Sequence, residues 1–412
     1  MDIDISGTGL DAGRLHRITE HLERFYVGPG KIAGAEVAVG RRGKVAYHAS
    51  LGLRDRERGV ATGDDTIYRI YSMTKPLTSI ALMQLFERGL FQLDDAVSRF
   101  YPSWKQHRVW VSGTGDDGDP LVTEPARRGV TFRDLLSHTS GLTYGGLLLG
   151  MNVHPIDRIY QASKIRSVGV NSTMDEFMEK LATVPLRFQP GTAYQYSLAT
   201  DACGALVEKI SGVPFAQYLQ EHILDPLGMT DTSFEVTPDK VHRFAANYQR
   251  NPDKTTTLMD DPATSVYTRP PTFVSGGGGL TGTLADYARF CEMLRRGGEL
   301  DGHRIIGPRT LELMRRNHLP GGKDLASLDV ELLTEYGNIG VGFGLGFAST
   351  IDQVATGALT RHDYYWGGAA STVFWVDPAE DLWVIFMTQL MPSASFDFRG
   401  QLRSLVYSAI VD

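Results

Sequence analysis

Tyr68-Arg-Ile-Tyr-Ser-Met-Thr-Lys-Pro-Leu-Thr-Ser-Ile-Ala-Leu-Met-Gln-Leu-Phe-Glu-Arg-Gly89 is the stretch on which the reading of this chain turns. Tyr68–Tyr71 reads as an extended lead-in. From Ser72 onward the residues are helix formers with an apolar stripe that ends at Gly89. Pro76 falls in the first turn of this helix, where a missing N–H is best tolerated. Ser72 therefore stands at a helix N-terminus, where free N–H groups and the dipole favour a developing anion. Lys75 lies at i+3, on the same face, with Cβ atoms about 5–6 Å apart, so its amine can reach the serine hydroxyl. A serine is a poor nucleophile until a neighbouring base takes its proton. A lysine serves as that base only where burial or a nearby cation disfavours its charged form.

Working outward, residues 11–27 carry Leu15, Ile18, Leu22 and Phe25 at helical spacing. Ile32–Val39 and Val45–Leu51 read as two strands joined by Gly40-Arg-Arg-Gly43, an antiparallel hairpin. Residues 105–128 form a turn-rich excursion. Helical patterns follow at Phe132–Ser137, Met174–Ala182, Leu198–Ile210, Phe215–Leu224, Leu284–Arg295 and Pro308–Arg316. Strand patterns return at Val341–Phe347, Ser371–Val376 and Leu382–Gln389, before a closing helix over Arg399–Val411. Strands at both ends with helices between them predict an α+β fold, in which an antiparallel sheet from the two terminal segments is flanked by terminal helices. The expected organisation is a single unit, with an α/β lobe of about 1–95 and 275–412 and an inserted, mainly helical lobe of about 96–274.

Composition narrows the function. The 412 residues include 48 acidic and 41 basic side chains, a formal charge of −7, which argues against a nucleic-acid partner. With two cysteines, Cys203 and Cys291, no disulfide framework is available, though one bridge is conceivable. The first residues are acidic and lack an apolar h-region, and no stretch approaches 18 consecutive apolar residues. The expectation is a cytoplasmic protein with no membrane partner. No serine has a glycine two positions before it, so the nucleophile elbow of α/β-hydrolases is absent; H-E-x-x-H, C-x-x-C and Walker A patterns are missing too, and no metal or organic cofactor is expected. Gly277-Gly-Gly279-Leu-Thr-Gly282 matches G-x-G-x-x-G, but the segment after the following helix is polar and turn-rich, so a structural turn is the better reading.

Two further elements suit Ser72 and Lys75. Pro190-Gly191 turns into an aromatic run ending at Tyr196, and a tyrosine near the serine can share its proton, as base and then as acid. Tyr365-Trp366-Gly367-Gly368-Ala369 precedes a strong strand, and its glycines let a backbone edge approach a substrate closely. An N–H from that edge, paired with that of Ser72, would form an oxyanion hole.

Together these segments resemble the serine β-lactamase-related hydrolases, and within them the family VIII carboxylesterases, which share the class C β-lactamase/transpeptidase-like fold. The likeness extends to Arg133-Asp-Leu-Leu-Ser-His138-Thr-Ser-Gly-Leu142, Asp225-Pro-Leu-Gly-Met229, Ser275–Leu280 and Phe374-Trp-Val-Asp-Pro378, and so covers nearly the whole chain. It implies Ser72 as acyl-forming nucleophile, Lys75 as its proton partner and Tyr196 as the tyrosine of the Y-x-N element. It also implies Trp366-Gly367-Gly368 in place of K-T-G, with Ala369 N–H as second oxyanion donor. Leu198 stands where β-lactamases have Asn, and Trp366 where they have a lysine, which favours neutral acyl esters over β-lactams. The implied partner is a small-molecule ester cleaved through an acyl-enzyme. Acyl transfer to an alcohol, amide or D-peptide hydrolysis with weak β-lactamase activity, and acyl-ligand sensing are the alternatives. His138 is read as a packing residue, and Tyr144 with Leu147–Met151 as lining of an acyl pocket.

The 45 glycines exceed the usual share of about 7%. Gly276–Gly279, Gly282, Gly342, Gly344, Gly346 and Gly367-Gly368 gather in the C-terminal third, which points to a backbone-lined site rather than a linker.

Overall fold

Alternating apolar residues and a tight reversal at Arg42 and Gly43, both with positive φ, fold Gly34–Arg41 and Lys44–Asp55 into an antiparallel hairpin. In this computed structural model, which describes residues 1–146, 154–166, 171–328 and 339–412, that hairpin lies near one end of an eight-stranded antiparallel sheet. Spatial order runs Val341–Phe343, Ala348–Thr350, Tyr364–Gly367, Val373–Asp377, Leu382–Met387, Gly34–Arg41, Lys44–Asp55, Val60–Ala61. The N- and C-terminal segments are stitched together by Leu382–Met387 against Gly34–Arg41, in the register Glu36 opposite Met387.

Both faces of the sheet are covered, and strand alternation assigns the covers. Phe374 lies opposite Ile385, so Phe386, next along its strand, points the other way. Phe374 packs on Tyr287 of the helix Leu284–Arg295, whereas Phe386 packs on Phe398 of the helix Phe398–Tyr407. The latter pairs with the N-terminal helix Ala12–Leu22, where His21 Nε2 and Gln401 Oε1 are 2.8 Å apart. Asp11 caps that N-terminal helix by accepting from Arg14 N–H at 2.7 Å. Burial on both sides explains why every residue of Gly34–Arg41 is buried.

The helix that opens after Ser72, Thr74–Glu87, is buried on all sides in its first ten residues, Thr74 to Met83, with the polar Thr74, Lys75, Thr78 and Ser79 among them. It packs against a second buried helix, Ala199–Ser211, and against Phe215–Leu219.

Two expectations are corrected by the structure. Val341–Phe347 is not one strand: the chain reverses after Phe343, with Gly344 N–H donating to Phe347 carbonyl at 2.7 Å, and returns as Ala348–Thr350. Tyr364–Gly367 is itself a strand, and the next begins at Val373 rather than Ser371, because Ser371 sits at φ +66° in the connecting turn. Cys203 and Cys291 form no bridge; both thiols are free and buried. The 105–128 excursion contains a short hairpin, Arg108–Ser112 against Val122–Pro125.

Phe386 joins the two layers, being fully buried with its ring tilted against that of Phe398 at 4.8 Å. Phe386→Ala is expected to cost about 3–5 kcal/mol of unfolding free energy in urea titration. A loss below about 1 kcal/mol would show that this contact does not hold the helix to the sheet.

Candidate active site

The lead-in strand Ile67–Arg69 is fixed by pairing with Thr281–Thr283 and by the buried Arg69, whose Nε donates to Asp260 at 2.6 Å while its guanidinium lies 3.9 Å over Phe244. The chain then turns sharply. Tyr71 takes φ +42°, a left-handed conformation uncommon for an aromatic residue. Its hydroxyl accepts from Asn247 Nδ2 at 3.0 Å, and its ring meets Tyr267 edge-on. Ser72 follows in the short 3₁₀ turn Tyr71–Met73 that feeds the buried helix.

Lys75 is buried, 1% exposed, and its three Nζ hydrogens have three acceptors. These are Ser72 Oγ at 3.1 Å, Tyr144 hydroxyl at 2.8 Å and Gly277 carbonyl at 2.6 Å. The ammonium also lies 4.5 Å over the ring of Tyr196. Tyr196 hydroxyl accepts from Trp366 Nε1 at 3.2 Å, and the two rings are 5.3 Å apart. Tyr144 packs on Tyr196 at the same separation. Burial first, then the neighbouring Tyr196 and Asp201, push the Tyr144 hydroxyl well above the usual tyrosine range.

The four sequence-expected residues Ser72, Lys75, Tyr196 and Trp366 thus form one connected cluster, and Tyr144 joins it at the lysine. The Trp366 indole faces the tyrosine and offers a neutral donor. Gly367 pairs with Val373, and Gly368 N–H donates to Thr372 carbonyl at 2.8 Å, so the chain turns at Ala369. A Cβ on Gly368 would lie 2.5 Å from Ile70 carbonyl, which explains why this turn can press against the segment leading to Ser72. Among the described residues, Ala369 N–H donates to no backbone carbonyl. Leu198 is buried and offers no amide, and Leu147–Met151 lie outside the described residues.

His138 touches neither Ser72 nor Lys75 by hydrogen bond. It is buried, with Nδ1 3.2 Å from Ser197 Oγ and its ring 4.9 Å from Tyr196. Burial, and then the charge of Lys75, hold its pKa well below the ordinary histidine value, so the ring is neutral and serves to seat the Tyr196 segment. Among the described residues one Glu/His/Asp cluster has ligand-like spacing: Glu36, His48 and Asp64. Its buried member already accepts from Tyr68 hydroxyl at 3.1 Å and lies 2.8 Å from His48 Nε2, a self-satisfied network. Sequence reasoning missed Asp201, fully buried in the first turn of Ala199–Ser211. Its only signal was an acid inside an otherwise apolar run, and acids are ordinary in first turns.

Comparison with known proteins shows the family and the fold. The family model described as Beta-lactamase matches residues 19–407. Protein Rv1367c of Mycobacterium tuberculosis is 36% identical over 373 residues, covering 89% of this chain and 88% of its own length. Esterase EstB of Burkholderia gladioli is 30% identical over 404 residues, covering 94% and 93%. Among solved structures, simvastatin synthase (LovD) from Aspergillus terreus superposes with a TM-score of 0.79 at 28% identity, covering 96% of this chain and 97% of that one.

Tyr144 takes one of three hydrogen bonds from a buried cation, a class worth about 1.5–3 kcal/mol each. Tyr144→Phe keeps the ring and removes that acceptor. Labelling of Ser72 by a fluorophosphonate should slow by about tenfold or more, with the thermal midpoint little changed. An unaltered labelling rate would remove Tyr144 from the working set.

Proposed function

This chain belongs to the beta-lactamase family and is a serine hydrolase of the family VIII esterase type, and we propose that it cleaves short-to-medium acyl carboxylic esters through an acyl-enzyme on Ser72. The observation that carries the reading is the buried Lys75 ammonium joined to Ser72 Oγ, with Tyr196 under it and a neutral indole in place of a cation. With the Tyr196–Lys75 pair short of one proton, Ser72 Oγ attacks the ester carbonyl and passes its own proton to that pair. The N–H groups of Ser72 and Ala369 hold the oxyanion, a contribution of a few kcal/mol per donor in comparable sites. The same pair returns the proton to the departing alkoxide. Water, giving up its proton by the same route, then attacks the acyl-enzyme, and the acid leaves with Ser72 restored.

The substrate preference follows from what the pocket lacks. A β-lactam presents a carboxylate, and a lysine or an amide would be needed to meet it. Here Trp366 points its N–H at Tyr196, and Leu198 is apolar. An ester has no charge to neutralise and loses nothing by this exchange. The low cysteine count and the two buried free thiols fit work in the cytoplasm. No helix among the described residues is long and apolar enough to cross a membrane. A second reading rests on the simvastatin synthase likeness: an acyl-enzyme can be resolved by an alcohol as well as by water, which makes the same site an acyltransferase.

The test combines label and turnover. A fluorophosphonate adduct should map to Ser72 by mass spectrometry. Ser72→Ala should lose hydrolysis of p-nitrophenyl acetate and butyrate by about a thousandfold or more. Nitrocefin turnover by the native enzyme should run at least about a hundredfold below the ester rate, the loss expected when a charged substrate group finds no partner. Unchanged esterase activity in Ser72→Ala defeats the mechanism, and fast nitrocefin turnover defeats the substrate class. Formation of butyl esters on adding 1-butanol, faster than acid release, decides for the transferase.

A further inference from the structure

Asp201 is a fully buried carboxylate that the proton route above does not use. Its Oδ1 accepts from Ser275 Oγ at 2.6 Å and from Gly277 N–H at 3.1 Å, whereas Oδ2 has no hydrogen-bond partner. Both bonds are donors aimed at the carboxylate. A protonated carboxyl would need an acceptor for its own hydrogen, and Oδ2 has none. The arrangement is therefore built for the anion, and a buried anion is tolerable only beside a cation.

The cation is Lys75. Gly277 connects the two, because its N–H binds Asp201 while its carbonyl accepts from Lys75 Nζ at 2.6 Å. The contact explains the glycine: a Cβ at 277 would overlap Asp201 Oδ2. Burial raises the Asp201 carboxyl above its ordinary value, and the Lys75 charge, with the bonds from Ser275 and Gly277, pulls the other way. The other groups that face this pair are Tyr144 and Tyr196, neutral His138, and the Cys203 thiol on the same helix as Asp201. None is a second buried cation, and none but Asp201 is a buried carboxylate.

We propose that Asp201 is the counter-ion and positioning residue of Lys75, setting where the ammonium sits through the Gly277 backbone and how readily the Lys75–Tyr196 pair gives up its proton. The inference rests on the acyl-enzyme reading of Ser72 and deepens it. With the anion present, the protonated pair is favoured, and Ser72 becomes reactive only at higher pH. Without the anion, the proton leaves more easily and the acid side of the profile moves to lower pH.

The experiment follows the rate of Ser72 labelling by a fluorophosphonate against pH in the full chain, for the native protein, Asp201→Asn and Ser275→Ala. Asp201→Asn keeps an oxygen for both hydrogen bonds and removes the charge. It should shift the acid limb down by about one pH unit, the effect of losing one nearby opposite charge, and lower the plateau rate about tenfold. Ser275→Ala removes a bond without a charge and should leave the limb in place. Superimposed limbs for native and Asp201→Asn overturn the proposal, as does the same shift in both variants. Should Asp201→Asn fail to fold, the pair Asp201→Asn/Lys75→Met decides: recovery of a cooperative thermal transition supports the charge balance between the two, and no recovery overturns it. A label on a residue other than Ser72 overturns this inference together with the reading it rests on. A label on Ser72 with superimposed profiles overturns this inference alone.

Discussion

A lysine ammonium kept dry is the constraint around which this molecule is arranged. Lys75 is nearly inaccessible to water, and each of its hydrogens must find an oxygen inside the protein. Three different parts of the chain supply them: the turn before the helix, the loop at Tyr144 and the glycine tract at 277. A charge buried without such partners would be prohibitive. The meeting of these segments is thus an energetic requirement, and the Ser72 hydroxyl is held in place as one of the three acceptors.

The sheet serves the same end from the other side. The Gly367–Ser371 turn can press against the Ser72 segment because strand Tyr364–Gly367 is held by neighbours on both edges, and because glycine at 368 leaves room for Ile70 carbonyl. Tyr71, in its left-handed conformation, is what that closeness requires of the backbone. Its side chain is held by Asn247 and Tyr267, so the surrounding structure pays for the local strain.

What could be read in the sequence was what is local. Ser72 and Lys75 are three residues apart on one helix, and helical geometry alone brings them together. Trp366-Gly367-Gly368 and Tyr196 were legible through motifs of fixed spacing. The contacts that were not legible are those between residues far apart in the chain. Tyr144 was read as pocket lining, yet its hydroxyl meets a lysine 69 residues away. Asp201 meets Gly277 across 76 residues. The split of Val341–Phe347 was hidden because its apolar pattern suits a strand throughout, while Gly344 and Gly346 allow a reversal that only the neighbouring strand makes necessary.

The register between Leu382–Met387 and Gly34–Arg41 has a temporal consequence. The hairpin made first by the ribosome waits for a strand some 340 residues later before its open edge is covered. Until then, that edge of the hairpin is uncovered. Such non-local pairing makes folding slow and leaves unpaired edges open to association in the meantime. A chain that lacks Leu382–Met387 therefore has neither a covered hairpin edge nor a joined sheet.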